Sequence, residues 1–179
     1  MANQQVPKVS LGFFPTPVHR LNRLSDQLGI NLYLKRDDFT GPNLFGGNKI
    51  RKLEYLLGDA MNRGADTVIT FGATQSNHAM ETAVAARKLG LATILYLETI
   101  TPNDQQDDRG NILIDKILGA TIHYVSMVDR TESEADEAAM QAALKEKARL
   151  EADGHTVYII PVGGATPIGS AGFVMALRN

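Results

Sequence analysis

A chain of 179 residues with 44% hydrophobic content is long enough to bury a core and suits one domain or one and a fraction. Its formal charge of -2, with both signs interspersed, excludes the broad basic field that nucleic acid or an anionic membrane surface needs. The lack of cysteine removes disulfides, thiolate zinc sites and a cysteine nucleophile, and no metal site is expected. From Met1 to Phe14 there is one lysine and no apolar core before a cleavage site, unlike a secretory signal. No apolar run approaches the ~18 residues of a membrane span, so the expected location is the cytoplasm.

Thr16-Pro17 reads as a helix start, with Thr16 as the cap and Leu21, Leu24 and Leu28 at helical spacing; Gly29 stops it. Asn31 to Lys35 alternates like a strand and runs into Lys35-Arg36-Asp37-Asp38. A loop with Gly41, Pro42, Gly46 and Gly47 follows. From Asn48 or Lys49 the pattern is helical, with Ile50, Leu53, Leu56, Leu57 and Ala60 on one face and Gly64 beyond the end.

A regular alternation comes next: strand Thr67 to Phe71, helix Asn77 to Leu89, strand Ala92 to Leu97, helix Asn111 to Leu118 and strand Thr121 to Val125. Helix Glu132 to Ala152, with a solvated acidic start, and strand Thr156 to Ile160 complete it. Gly90, Gly119 and Gly154 close the helices. This order predicts right-handed crossovers and a parallel sheet of about four strands covered on both faces. The span Thr99 to Gly110, polar from Gln105 to Asp108, reads as a long exposed loop. Gly163-Gly164-Ala165-Thr166-Pro167-Ile168-Gly169 fits neither a dinucleotide fingerprint nor a phosphate-binding P-loop and reads as a turn between domains. A further helix, Ile168 to Arg178, then meets the chain end at Asn179 like an interruption.

Two segments carry groups suited to chemistry. In Gly46-Gly47-Asn48-Lys49-Ile50-Arg51-Lys52, Lys49 falls in the first helical turn, where the dipole disfavours an ammonium, and the glycines leave room for a flat ring. A neutral lysine forms an imine with an aldehyde cofactor, and Arg51 and Lys52 could meet its phosphate. The plain alternative is a basic helix start on the surface. In Gly72-Ala73-Thr74-Gln75-Ser76-Asn77-His78 a strand hands over to a helix whose free N–H groups suit a carboxylate or phosphate. Here the alternatives are an ordinary cap at Ser76 or Asn77 and a surface or core histidine at His78.

Taken together with Lys35-Arg36-Asp37-Asp38 and Gly110-Asn111, these motifs stand in the order and spacing of one family. The chain resembles the N-terminal half of the fold-type-II pyridoxal-phosphate (PLP) enzymes in the group of D-cysteine desulfhydrase, L-cysteate sulfo-lyase and 1-aminocyclopropane-1-carboxylate (ACC) deaminase. The resemblance implies an α/β fold like the tryptophan synthase β subunit, a three-layer parallel sheet with a complete small domain and part of a large one. Residues 1–47 would begin the large domain, 48–160 form the small domain and 161–179 return to the large one. It implies PLP as cofactor, with Lys49 as the Schiff-base lysine and base, Lys52 on the phosphate and Asn77 on the ring hydroxyl. Ser76, Asn77 and His78 would hold the substrate, and Ser76 would also take part in proton transfer. His78, after the Ser-Asn pair, tilts the substrate towards D-cysteine, with ACC or L-cysteate as alternatives. A homodimer and a longer full-length protein are implied too. Two other readings compete: an inactive α/β binding fragment, and a nucleotide-binding domain that lacks the glycine fingerprint.

Overall fold

The computed structural model describes residues 6–41, 46–101 and 108–177. Pro42, residues Gln105 to Asp107 of the expected loop, and the expected ends at Arg178 and Asn179 lie outside the described residues.

The chain opens with β1 (Val18–Arg20), α1 (Asn22–Leu28) and β2 (Tyr33–Lys35), and β1 and β2 form an antiparallel pair. The helix expected to begin at Thr16-Pro17 therefore starts five residues later, and Thr16 caps nothing. Its hydroxyl is buried and donates to Asp37 Oδ1 at 2.9 Å, while Arg51 Nη2 donates to it at 3.0 Å. Distant partners override the local capping preference. Gly29 does end α1, in the left-handed conformation with φ of 67°.

Next come α2 (Asn48–Asn62), β3 (Thr67–Ala73), α3 (Asn77–Lys88), β4 (Ala92–Thr99) and α4 (Gly110–Ile117). After them follow β5 (Thr121–Ser126), α5 (Glu132–Ala152), β6 (Val157–Ile159) and α6 (Pro167–Ala176). The four later strands form one parallel sheet in the order β5-β4-β3-β6, matching the expected layers. Its faces bury different helices. Leu53, Leu56 and Leu57 of α2 pack with Ala85 and Ala86 of α3 against Val68, whereas Ala135, Ala139 and Ala143 of α5 lie under Ile69, Phe71, Ile94 and Tyr96. Each fully buried leucine contributes roughly 2 kcal/mol through the apolar area it removes from water.

Chain order reverses between β3 and β6: from β3 the chain steps outward to β4 and β5, then crosses back to place β6 on the other side. Such a switch point opens a crevice at the carboxyl ends of the strands. α6 closes on α2 from outside the sheet, so tightly that a Cβ at Gly172 would fall 2.0 Å from the Arg51 carbonyl oxygen. Pro167 opens α6 at its first turn, with Thr166 Oγ1 accepting from the Gly169 N–H at 3.0 Å. The residue read as a turn signal is thus a helix starter. Among the described residues no helix is long and apolar enough to cross a membrane.

Candidate active site

At the switch point the start of α2, the start of α3 and the turn after β6 meet. Lys52 Nζ donates to the Gly163 carbonyl at 2.9 Å, and a Cβ at Gly163 would lie 3.9 Å from Lys49 Cε. A Cβ at Gly164 would fall 2.8 Å from Leu56 Cδ1, 3.5 Å from Lys52 Cδ and 3.7 Å from His78 Cε1. Both glycines have positive φ, 62° and 60°, which favours glycine at each, and at Gly164 the lack of space selects it as well. The glycine pair read as a domain turn is therefore part of the site wall. Two glycines at the carboxyl end of a parallel strand were the signal that could have shown it.

Lys49 and Lys52 are three residues apart on one helix face, whereas Arg51 points the other way. Arg51 is buried, and its guanidinium grips Asp37 with two hydrogen bonds of 2.7 Å and lies 4.6 Å from the centre of the Phe14 ring. The Arg51 guanidinium holds the Asp37 carboxyl below the usual carboxylate range. A phosphate role for Arg51 is thereby excluded, since its charge is already paired and covered. The same contact explains Lys35-Arg36-Asp37-Asp38. Asp37 answers Arg51, Asp38 pairs with Arg36, and Lys35 Nζ donates to the Thr16 carbonyl at 2.8 Å. Lys49 is half-buried, and its Nζ donates to Asn48 Oδ1 at 3.1 Å.

Ser76 caps α3: its Oγ accepts from the Ala79 N–H at 3.2 Å. The cap uses a lone pair, so the hydroxyl proton is still available to a ligand. No acidic residue occupies the first turn of α3, which leaves the positive end of its dipole uncancelled. Asn77 is exposed, and its Oδ1 accepts from Asn111 Nδ2 at 2.8 Å.

His78 is only 5% exposed. The Thr70 hydroxyl donates to the Ile160 carbonyl at 2.9 Å, so at 3.0 Å its oxygen must accept from His78 Nε2–H. That arrangement makes Nε2 the protonated nitrogen; Nδ1 is buried without a hydrogen bond among the described residues, and the Pro161 carbonyl also bears on the ring. Burial first, then the charges of Lys49 and Lys52, push His78 down to about 4, so the ring is neutral at physiological pH. As placed, its ring donor is spent on Thr70. Sequence reasoning did not single out Thr70.

A second unforeseen group is Glu81, one turn along α3 and 3% exposed. A Cβ at Gly47 would fall 2.5 Å from its Oε1. Burial pushes Glu81 up to about 7, against the pull of Lys49 and the Ile50 N–H. Helical spacing from His78 was the only available hint, because its burial depends on α2.

A parallel α/β unit that gathers two lysines and an anion-suited helix start at its switch point is equipped to bind a small anionic ligand and to form an imine with a carbonyl. The chain belongs to the pyridoxal-phosphate-dependent enzymes, whose family model matches residues 9–177. It is 43% identical over 174 residues to a D-cysteine desulfhydrase of Serratia proteamaculans (strain 568), covering 95% of this chain and 49% of that protein. It is likewise 43% identical over 172 residues to the mitochondrial bifunctional D-cysteine desulfhydrase/1-aminocyclopropane-1-carboxylate deaminase of Arabidopsis thaliana, covering 95% and 42%. A crystal structure described as an ACC deaminase homologue superposes with a TM-score of 0.83 at 44% identity, over 97% of this chain and 50% of that one. The expected fold class is confirmed by that superposition. The chain spans about half the length of the curated relatives it matches.

Proposed function

We propose that the chain is the lysine-bearing part of a PLP-dependent lyase that acts on D-cysteine, with water consumed and pyruvate, sulfide and ammonia released. The observation that carries this reading is the convergence of Lys49, Lys52 and His78 on the Gly163-Gly164 turn, beside the Ser76-Asn77 helix start. The residues present fit the cofactor. Lys49 offers the primary amine, Lys52 a cation on the same face for the phosphate, and Asn77 an amide for the ring hydroxyl; the turn leaves no space for a Cβ at Gly164. Bound PLP supplies an electron-accepting ring that makes the substrate Cα–H acidic.

The remaining roles belong to the protein. Lys49 Nζ takes the proton from the substrate Cα as general base. The open N-terminus of α3 holds the substrate carboxylate through its N–H groups, with the Ser76 hydroxyl as a further donor and proton carrier. For His78 we propose a supporting part in place of a direct charge contact: a neutral ring tied to Thr70 sets the floor beneath the carboxylate. Lys49, Ser76, Asn77 and His78 thus act at the amino acid, and Lys49, Lys52 and Asn77 at the cofactor.

We place the domain limits at 47/48 and 160/161, supported by the sheet lying within that span. A cytoplasmic homodimer in the full-length form completes the proposal, in keeping with the balanced charge. ACC deamination is the second reading, favoured by the bifunctional name of the Arabidopsis relative and by the putative 1-aminocyclopropane-1-carboxylate deaminase of Pyrococcus abyssi, 45% identical over 170 residues. Incubation of the full-length protein with PLP and D-cysteine, ACC or L-cysteate in parallel tests the choice. Pyruvate and sulfide from D-cysteine, abolished by Lys49→Ala, are expected; ammonia from ACC alone would replace the first reading with the second.

A further inference from the structure

Gln75 and Asn111 lie outside every role assigned above, yet they form a linked set of four hydrogen bonds at the site rim. The Gln75 side chain straddles Gly110. Its Oε1 accepts from the Asn111 N–H at 2.9 Å and its Nε2 donates to the Arg109 carbonyl at 3.1 Å. Gly110 has φ of 61°, and a Cβ there would fall 2.4 Å from Gln75 Oε1, so the staple requires glycine. Asn111 Nδ2 then donates to the Gln75 carbonyl at 3.0 Å and to Asn77 Oδ1 at 2.8 Å.

The orientation of each amide follows from main-chain partners whose roles cannot change. A backbone N–H only donates and a backbone carbonyl only accepts. The Asn111 main chain and the Arg109 carbonyl therefore fix both ends of Gln75. The Gln75 carbonyl fixes which atom of Asn111 is the nitrogen. Because that nitrogen only donates, the atom of Asn77 facing it is the oxygen. A chain of forced assignments thus runs from the backbone of two loops to the Asn77 side chain, and it turns the Asn77 NH2 away from α4.

We propose that Asn111 is a positioning residue that holds Asn77 with its NH2 outward, as a hydrogen-bond donor to the ionised ring oxygen of PLP. This rests on the Asn77 assignment of the proposed function. A free asparagine can present either end of its amide at little cost. A ring oxygenate accepts only, so the wrong end would set two acceptors face to face. Asn111 removes that choice before the ligand arrives, which lowers the ordering cost of binding.

The test compares wild type, Asn111→Ala and Asn111→Asp in the protein incubated with PLP. The carboxylate introduced by Asn111→Asp is isosteric but accepts only, so it draws the Asn77 NH2 towards itself and leaves oxygen facing the ring. PLP affinity, read from absorbance titration, is expected to fall at least about tenfold in Asn111→Asp, the worth of one hydrogen bond to a charged group, and less in Asn111→Ala. The Asn77 side-chain amide resonances in 15N-labelled protein without PLP should move in both variants. Affinity and resonances equal to wild type in both would overturn the inference. Resonances that move while PLP affinity stays at the wild-type value in both variants would instead overturn the Asn77 assignment beneath it. Asn111→Ala, a truncation at a half-buried position, keeps the test readable if Asn111→Asp is unstable.

Discussion

The two sides of α2 treat neighbouring cations in opposite ways. On one side Arg51 is buried, paired with Asp37 and stacked near Phe14. On the other, Lys52 has a carbonyl for partner, Lys49 an amide oxygen, and the nearby ring of His78 is neutral. The carboxyl that bears on Lys49 is that of Glu81, pushed up to about 7. A cation matched by a carboxylate holds structure together. A cation left without a fully ionised partner, next to an uncancelled helix N-terminus, is prepared for an anion from outside. The contrast with α5 points the same way, since its start carries Glu132 and Glu134 and closes itself with a Thr131–Glu134 capping box.

Arg51→Leu should be the most damaging change on the structural side, because it strands a largely covered Asp37. A loss of about 3 kcal/mol in urea denaturation is expected. A neutral result would erase the distinction between the two sides of the helix.

The pH dependence separates two site groups by sign. Between pH 6.5 and 4 the unfolded chain takes up a proton that folded His78 refuses, so its contribution is present above 6.5 and lost as pH falls towards 4. The span corresponds to roughly 3 kcal/mol at most. NMR titration of the His78 ring should show a midpoint near 4; a midpoint near 6.5 would mean the ring is solvated. For Glu81 the sign is reversed. Between pH 4.5 and 7 the folded state keeps a proton that the unfolded chain releases, so stability falls as pH rises. Asp115 and Glu98, also pushed up to about 7, act in the same direction. The difference between Glu81→Gln and wild type therefore isolates Glu81, and the variant's advantage should grow by roughly 1–3 kcal/mol up to pH 7 and then level off. A pH-independent difference would show that Glu81 is not buried.

Lys52→Gln should give the smallest change in stability, about 1 kcal/mol, since one hydrogen bond at a half-buried position is at stake. Its effect belongs in PLP affinity, with a loss of about tenfold expected in the same titration. A stability loss as large as that of Arg51→Leu would make Lys52 a structural cation as well.

The sheet and its helices were legible because each declares itself locally. Period, caps and closing glycines agree from α2 to α5, and the boundaries moved by only one or two residues. The N-terminal segment was not legible, because Thr16 answers to Asp37 and Arg51 and not to the residues that follow it. Lys49, Ser76 and Asn77 could be singled out from motif spacing and helix position. What they face could not, since Gly163, Asn111 and Thr70 reach the site through the sheet order. Arg51 is the instructive error: two residues from Lys49 along a helix is nearly the opposite side, a fact already contained in the sequence.

The central claim is that Lys49 carries PLP, and reduction of the PLP-treated protein with borohydride followed by peptide mapping tests it most directly. The account predicts one phosphopyridoxyl adduct, on Lys49, that disappears in Lys49→Ala while the variant unfolds at the same urea concentration as wild type. An adduct on Lys52 or on scattered surface lysines, or none at all, would contradict it.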